Sequence, residues 1–296
     1  MALPDSELPN RDVFVRLERF YDAVPRDAAA AEDIGAFVLF VRQGNAGWPY
    51  YARPRIGAET PSAADITAVR RRQRELDAPE SFEWVHETTP DLLAVARSAG
   101  LEVLLAPLMV LESAALVPDL PLPGGATIRL LDPHGPRFAA DLSAHRAVGQ
   151  LGFGAAPAGT VTSGTLTATI QPAGPRERDA IPALSDNAVE EQRGRYISGR
   201  YTGAVVESPA EGILASGIAQ RVDDVAEVAG VATLPAARRR GFASQLTASL
   251  ARHALQTGAD LVFLSAGDDD VARLYSKVGF RRIGTACIAE PAPAPL

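Results

Sequence analysis

Apolar positions in the C-terminal half of the chain fall into two periods, one suited to strands and one to helices. Glu227 to Thr233 reads as a strand, and Pro235 closes it. Phe242, Leu246, Leu250 and Ala254 then recur at helical spacing, which predicts a helix over 242–255 with Gly258 as its C-terminal stop. A second apolar run, Leu261 to Leu264, leads into a helix opened by Asp268, Asp269 and Asp270, residues that suit a helix N-terminus. Val271, Leu274, Tyr275 and Val278 follow at i, i+3, i+4 and i+7, and Gly279 ends the helix ahead of Phe280. Upstream, runs at 201–206, 213–220 and 225–233 are joined by short turns, the pattern of an antiparallel meander. Before them come a strand at 127–131, a helix at 136–147 and a helix from Ile181 to Tyr196.

The N-terminal half has a similar order: strands at 36–41 and 50–53, a helix at 63–76, a strand at 82–85, a helix at 91–98 closed by Gly100, and a strand at 103–111. Between the halves, residues 119–125 read Asp-Leu-Pro-Leu-Pro-Gly-Gly, which continues neither a helix nor a central strand and marks a linker. Two domains are therefore expected, 1–122 and 123–296. The shared order suggests that the first is a degenerate copy of the second. Its helix at 63–76 carries Arg70, Arg71 and Arg72 in its interior, with no glycine loop ahead of it, so no phosphate cradle is expected there.

Charge divides at the same place. Residues 1–122 hold 12 basic and 19 acidic side chains, and residues 123–296 hold 17 of each, a balance that speaks against nucleic acid as a partner. The one cysteine, Cys287, rules out an internal disulfide or a cysteine metal cluster and is expected to act as a small hydrophobe on the last strand. No apolar run reaches membrane-spanning length, and the first residues lack the basic and apolar regions of a signal peptide, so no membrane partner and a cytoplasmic setting are expected. His86, His134, His145 and His253 are scattered without metal-ligand spacing, and no Gly-x-Ser-x-Gly elbow supports a hydrolase.

The stretch with the most specific chemistry is Arg238, Arg239, Arg240, Gly241, Phe242 and Ala243, set where the strand at 227–233 gives way to the helix at 242–255. A Gly at the fourth position and a small residue at the sixth let main-chain N–H groups approach an anion, the helix start adds its positive dipole end, and arginine adds permanent charge. A solvated helix start is the simpler alternative for such a run. The spacing fits neither the dinucleotide fingerprint nor the Walker loop. Arg-x-x-Gly-x-Ala in this place resembles the pyrophosphate loop of GNAT acetyltransferases. The stretch Leu274-Tyr275 through Gly279-Phe280 is similar to the second GNAT hallmark, Leu-Tyr-x-Lys-x-Gly-Phe. The resemblance spans about 126–290 and is most specific over 227–284.

What the resemblance implies is an α/β (α+β) GNAT fold, a central mixed and mostly antiparallel sheet flanked by helices, with a second, smaller GNAT-like domain. It further implies acetyl-CoA as cofactor, its pyrophosphate on Arg238, Arg239, Arg240, Gly241, Phe242 and Ala243, and its acyl-pantetheine arm against main-chain groups of Val231 and Thr233. Gly230 is placed to bulge the strand at that point. By the same resemblance Tyr275 gives a proton to the leaving thiolate, a role suited to a phenol that ordinarily titrates at about 10. Glu227 falls where a catalytic carboxylate commonly takes the ammonium proton. A packed tyrosine and an edge carboxylate remain the structural alternatives for these two. Where the GNAT pattern often has a cofactor-contacting asparagine, seven residues before the tyrosine, this chain has Asp268, which the resemblance makes a cofactor-binding candidate and which also suits a helix cap. The acceptor is expected to be a primary amine of a small molecule or peptide. Trp48, Tyr50 and Tyr51, and separately Phe82 and Trp84, are candidates either for core packing or for a pocket wall. The Gly-, Ala- and Thr-rich stretch 152–171 is expected to shape the acceptor side as a cover. A CoA-binding protein without turnover, or a GNAT-fold enzyme using another acyl donor, are the competing functions.

Overall fold

The structure is a computed structural model that describes residues 8–43, 51–154, 161–163, 166–168 and 172–292. The chain forms two compact units that are not contiguous in sequence. The first comprises residues 1–110, 263–276 and 281–296, and the second 111–262 and 277–280. This division departs from a single cut at 122/123 because the C-terminal strand pairs with strands of the N-terminal region.

In the first unit α1 (Leu8–Ala23) precedes the hairpin β1 (Ala29–Ile34) and β2 (Phe37–Arg42), followed by β3 (Ala52–Pro54), α2 (Ala63–Glu75), β4 (Phe82–Val85), α3 (Leu92–Ser98) and β5 (Leu101–Leu111). Its strands run in the order β1-β2-β3-β4, then the last strand of the chain, β5 and the strand Leu261–Ser265. The last strand, Phe280–Pro291, sets Cys287 opposite Trp84 and Ala289 opposite Phe82. Cys287 and Trp84 are both fully buried, as expected of a core hydrophobe and of the packing alternative for the tryptophan. One face buries Phe37, Phe82, Ile66, Val69 and Leu92 under α2 and α3. On α1, Phe20 meets Phe263 edge-on at 5.0 Å between ring centroids. β3 and β4 pair in parallel, Ala52 with Phe82, whereas β1 with β2, β2 with β3, β4 with the last strand, and β5 with the strand Leu261–Ser265 pair antiparallel.

A buried charge cluster sits in this unit. The Arg53 side chain is 4 % exposed, donates to Glu18 at 3.3 Å and lies 3.9 Å from Glu83, with its guanidinium 4.3 Å from the Tyr21 ring centroid. Desolvation pushes the Glu83 carboxyl up to about 7; Arg53 opposes the shift and the like charge of Glu290 adds to it.

The second unit holds β6 (Thr127–Leu130), α4 (Phe138–Gly154), a small ribbon of β7 (Val161–Ser163) and β8 (Leu166–Ala168), α5 (Pro175–Asp179), α6 (Asp186–Ile197), and the meander β9 (Tyr201–Ser208), β10 (Gly212–Val222) and β11 (Val225–Thr233). The sequence predicts one helix over 181–196. Ser185 instead caps α6, accepting from the Ala188 N–H, while the short α5 begins at Pro175. α7 (Phe242–Gln256) follows a single 3₁₀ turn at 235–237. β12 (Leu261–Ser265), α8 (Asp269–Val278) and β13 (Phe280–Pro291) complete the chain and lie largely in the first unit.

The four-stranded sheet of the second unit has the order β11-β10-β9-β6 and is antiparallel throughout. α7 buries Phe242, Leu246, Leu250 and Ala254, the residues whose spacing predicts it. α4 and α6 belong to the opposite face. Arg129 on β6 holds α4 by two hydrogen bonds to the buried Asp141, at 2.6 and 2.7 Å. The α4 helix then comes very close to β11: a Cβ on Gly152 would lie 2.8 Å from Cβ of Ala232 and 3.4 Å from the Thr233 carbonyl oxygen.

Two outcomes follow from this packing. Gly152→Ala forces α4 away from β11 and should cost about 1–3 kcal/mol, as overpacking does, measured by urea denaturation. For Glu83, the folded carboxyl holds its proton more tightly than the unfolded one. Its stabilising contribution is therefore complete below the ordinary glutamate range and is lost as pH rises through about 7. Glu83→Gln should raise Tm at pH 8 more than at pH 5, seen by calorimetry across that range.

Candidate functional site

Two positive-φ residues shape the turn between β11 and α7. Arg239 has φ 68° and Gly241, the residue before the helix, has φ 80°. A left-handed residue at a helix N-terminus turns the chain sharply and leaves no side chain to cap it. No side chain does cap α7. Among the described residues, no main-chain N–H from Arg239 to Ser244 donates to a carbonyl, and the first internal bond of the helix is Gln245 N–H to the Gly241 oxygen. Several donors at the positive end of a helix thus converge without internal partners, which is the requirement for holding an anion. Arg238 to Gly241 are exposed, whereas Phe242 is buried and anchors the turn. A Cβ on Gly241 would meet nothing within 4 Å, so the space in front of the turn is open.

The arginines are partly committed. Arg238 donates through Nη2 to the Gly152 carbonyl at 2.7 Å, tying the end of α4 to the turn. Arg240 pairs with Glu211 at 3.0 Å and also reaches the Ala236 carbonyl. Both are exposed pairs of the kind that solvent and salt readily exchange.

On β11 the expected bulge is present. Ser216 pairs with Ala232 and Ile218 with Ala229, so Gly230 and Val231 together face the single residue Gly217. Gly230 takes φ 60°, a conformation glycine adopts without strain. Gly217 must be small as well, because a Cβ there would sit 3.1 Å from Val231 Cγ2 and 3.2 Å from Leu250 Cδ1. The bulge takes Val231 out of the regular ladder, two residues before Thr233. Glu227 lies four residues earlier on the same strand and is half-buried.

The sequence gives no reason to single out His145, yet it lies behind this bulge. Its Nε2 is 3.2 Å from the Gly217 carbonyl oxygen, and its own carbonyl accepts from Ser216 Oγ at 3.1 Å. Burial pushes its imidazole below the usual histidine range, against the pull of the Gly217 carbonyl. Gly152 likewise goes unnoticed in the sequence, because the need for a glycine there comes from the approach of α4 to β11.

Tyr275 is buried on α8 within the first unit, while Glu227, Val231, Thr233 and residues 238–243 belong to the second. Asp268 serves as a helix cap: its Oδ1 accepts from the Val271 N–H at 2.8 Å. Asp269 and Asp270 pair with Arg282 and Arg273. The corresponding helix start in the first unit is closed. Ser62 and Asp65 form a reciprocal capping box at the N-terminus of α2, and Arg70 and Arg72 are spent on Glu80 and Glu32. Tyr51 lies beside Phe40 and Arg53 in the first unit, while Trp48, Tyr50 and most of the stretch 152–171 lie outside the described residues. Among the described residues, no group of three His, Cys, Asp or Glu side chains is disposed to hold a metal, and no helix is long and apolar enough to cross a membrane.

Comparison with known proteins bears on the fold. Residues 203–289 match the family described as FR47-like protein. No curated protein matches the chain. Among solved structures, a GCN5-related N-acetyltransferase from Kribbella flavida superposes with a TM-score of 0.63 at 19 % identity, covering 93 % of this chain and 95 % of its own. An acetyltransferase of the GNAT family from Novosphingobium aromaticivorans gives 0.50 at 18 %, with 90 % and 93 % covered. A tandem GNAT protein from the clavulanic acid biosynthesis pathway gives 0.50 at 14 %, with 88 % and 80 % covered. The chain therefore has the fold of the GNAT acetyltransferases, tandem forms among them, and its C-terminal region is FR47-like.

Proposed function

We propose that this protein is an acetyl-CoA-dependent N-acetyltransferase that acylates a primary amine of a small molecule or peptide. The observation that carries the reading is the turn at 239–244, whose main-chain N–H groups have no carbonyl acceptor among the described residues, with open space in front of Gly241 and exposed arginines beside it. That donor set fits a pyrophosphate. Acetyl-CoA supplies an activated acyl carbon as a thioester. Arg238, Arg239, Arg240, Gly241, Phe242 and Ala243 hold its phosphates, and main-chain groups of Val231 and Thr233 hold the acyl-pantetheine arm next to the bulge.

Glu227 takes a proton from the incoming ammonium and so exposes the nitrogen lone pair. Attack forms the C–N bond and breaks the C–S bond; Tyr275 gives its proton to the departing sulfur, and its phenolate recovers the second proton of the nitrogen through solvent, leaving a neutral amide and a free thiol. Asp268 acts through α8, by fixing the start of the helix that carries Tyr275. The capped α2 terminus in the first unit supports a structural role for that unit, with one phosphate site per chain.

Tyr275→Phe should lower kcat by about 10²-fold, the ordinary contribution of a general acid, with the acetyl-CoA Kd nearly unchanged. Equal losses in thiol release and in calorimetric affinity would remove Tyr275 from that role. Gly241→Glu places a side chain at φ 80° and a negative charge in the turn. It should weaken CoA binding at least about tenfold, or 1.4 kcal/mol, while the far-UV circular dichroism stays that of the parent.

A further inference from the structure

The two faces of the sheet in the second unit differ. On the face covered by α7, Ala219, Ala226 and Val228 are buried. On the other, Tyr201, Gln220 and Glu227 stand in one row across β9, β10 and β11, with Gln220 directly opposite both neighbours. Residues so paired share a face, with Cβ atoms about 5 Å apart. All three are half-buried, as are Ile218 and Ala229 in the next row, so this strip is open where the opposite face is closed.

Around the row, the Arg195 guanidinium lies 5.7 Å from the Tyr201 ring centroid and the Tyr196 ring 6.5 Å from it. Gly203 keeps the strip shallow beneath Tyr196, whose hydroxyl would lie 2.6 Å from a Cβ there.

Within this row one polar atom stands out. Gln220 Oε1 is buried and has no hydrogen-bond partner among the described residues. An orphaned carbonyl oxygen is costly, and a donor on a bound ligand would relieve that cost. The side chain as a whole is half-exposed, and the terminal amide torsion is broad, so a small rotation turns the oxygen into the open strip.

We propose that Gln220 selects the acceptor, its Oε1 accepting an N–H of a compact primary ammonium group beside the Glu227 carboxylate. This rests on the acyl-transfer reading above. The chemistry favours nitrogen over oxygen nucleophiles. Of the three hydrogens of a primary ammonium, one goes to Glu227 and one leaves as the amide forms, and the third, retained throughout, satisfies Gln220. A hydroxyl gives up its only hydrogen and leaves Oε1 orphaned. Gln220 is thus a specificity-determining residue, and the bonds made and broken are those already described.

The test is thiol release from acetyl-CoA with a panel of primary alkyl and aryl amines and their matched alcohols, on the full chain, together with calorimetric acetyl-CoA binding and Tm. Gln220→Met keeps length and removes both amide atoms. The expected result is a KM for the best amine raised at least tenfold, kcat within threefold, acetyl-CoA affinity unchanged, and Tm equal or higher because the orphan is gone. Gln220→Glu retains an acceptor, so KM should stay within threefold. Its charge beside Glu227 should move the acidic limb of the kcat/KM profile to higher pH. An unchanged KM in Gln220→Met, or a lowered Tm with KM and kcat falling together, overturns the proposal and leaves acyl transfer standing. A parent chain that binds acetyl-CoA yet releases no thiol with any amine overturns the acyl-transfer reading, and the proposal with it.

Discussion

The candidate site depends on main-chain donors at the start of α7 that have no carbonyl acceptors among the described residues. A helix start normally satisfies its first N–H groups with a capping side chain, as Ser62 and Asp65 do for α2. At α7 the residue before the helix is Gly241 in the left-handed region, with no side chain to offer. The chain can carry this deficit because Phe242 is buried and because Pro235 and the 3₁₀ turn lock the approach. The unsatisfied end of α7 is thus exposed rather than buried, and an exposed donor costs little until an anion replaces water.

The two halves of the sequence show how similar element orders can lead to opposite chemistry. Each half has strands, a helix, a strand, a helix and a strand in succession. In the first, the arginines of α2 lie past the helix start and face Glu32, Glu75 and Glu80, and the helix start itself is closed by a carboxylate. In the second, the arginines precede the helix and the glycine that follows them keeps its terminus open. Relative to the helix start, the basic run stands about three turns further along in the first half, where it forms surface ion pairs instead of flanking an open terminus.

The bulge at Gly230 and Val231 links the sheet to this turn. Two residues against one at Gly217 bend β11, and the bend brings Thr233 to the place where α4 presses on it through Gly152. A larger side chain at Gly217 or Gly152 would push against Val231 or the backbone of Thr233, so the glycines on two other elements hold the geometry of β11. Arg238, donating to the Gly152 carbonyl, ties the same contact to the anion turn.

Much of this was written locally. The periods of Phe242 to Ala254 and Val271 to Val278, the glycine at 241, the bulge-prone Gly230 and the core position of Cys287 all follow from short-range rules of spacing, turn chemistry and burial. α1 and β1 carry no comparable signal, because their polar residues are rescued by partners distant in sequence, such as Glu18 with Arg53 and Glu32 with Arg72. The break between α5 and α6 was hidden because a cap such as Ser185 is recognised only once the neighbouring helix is placed. The interleaved units, with β13 set beside β4, and the alignment of Tyr201, Gln220 and Glu227 were decided by tertiary structure alone. Strand partners and register are chosen by packing between segments far apart in the chain, which no local pattern of apolar and polar residues specifies.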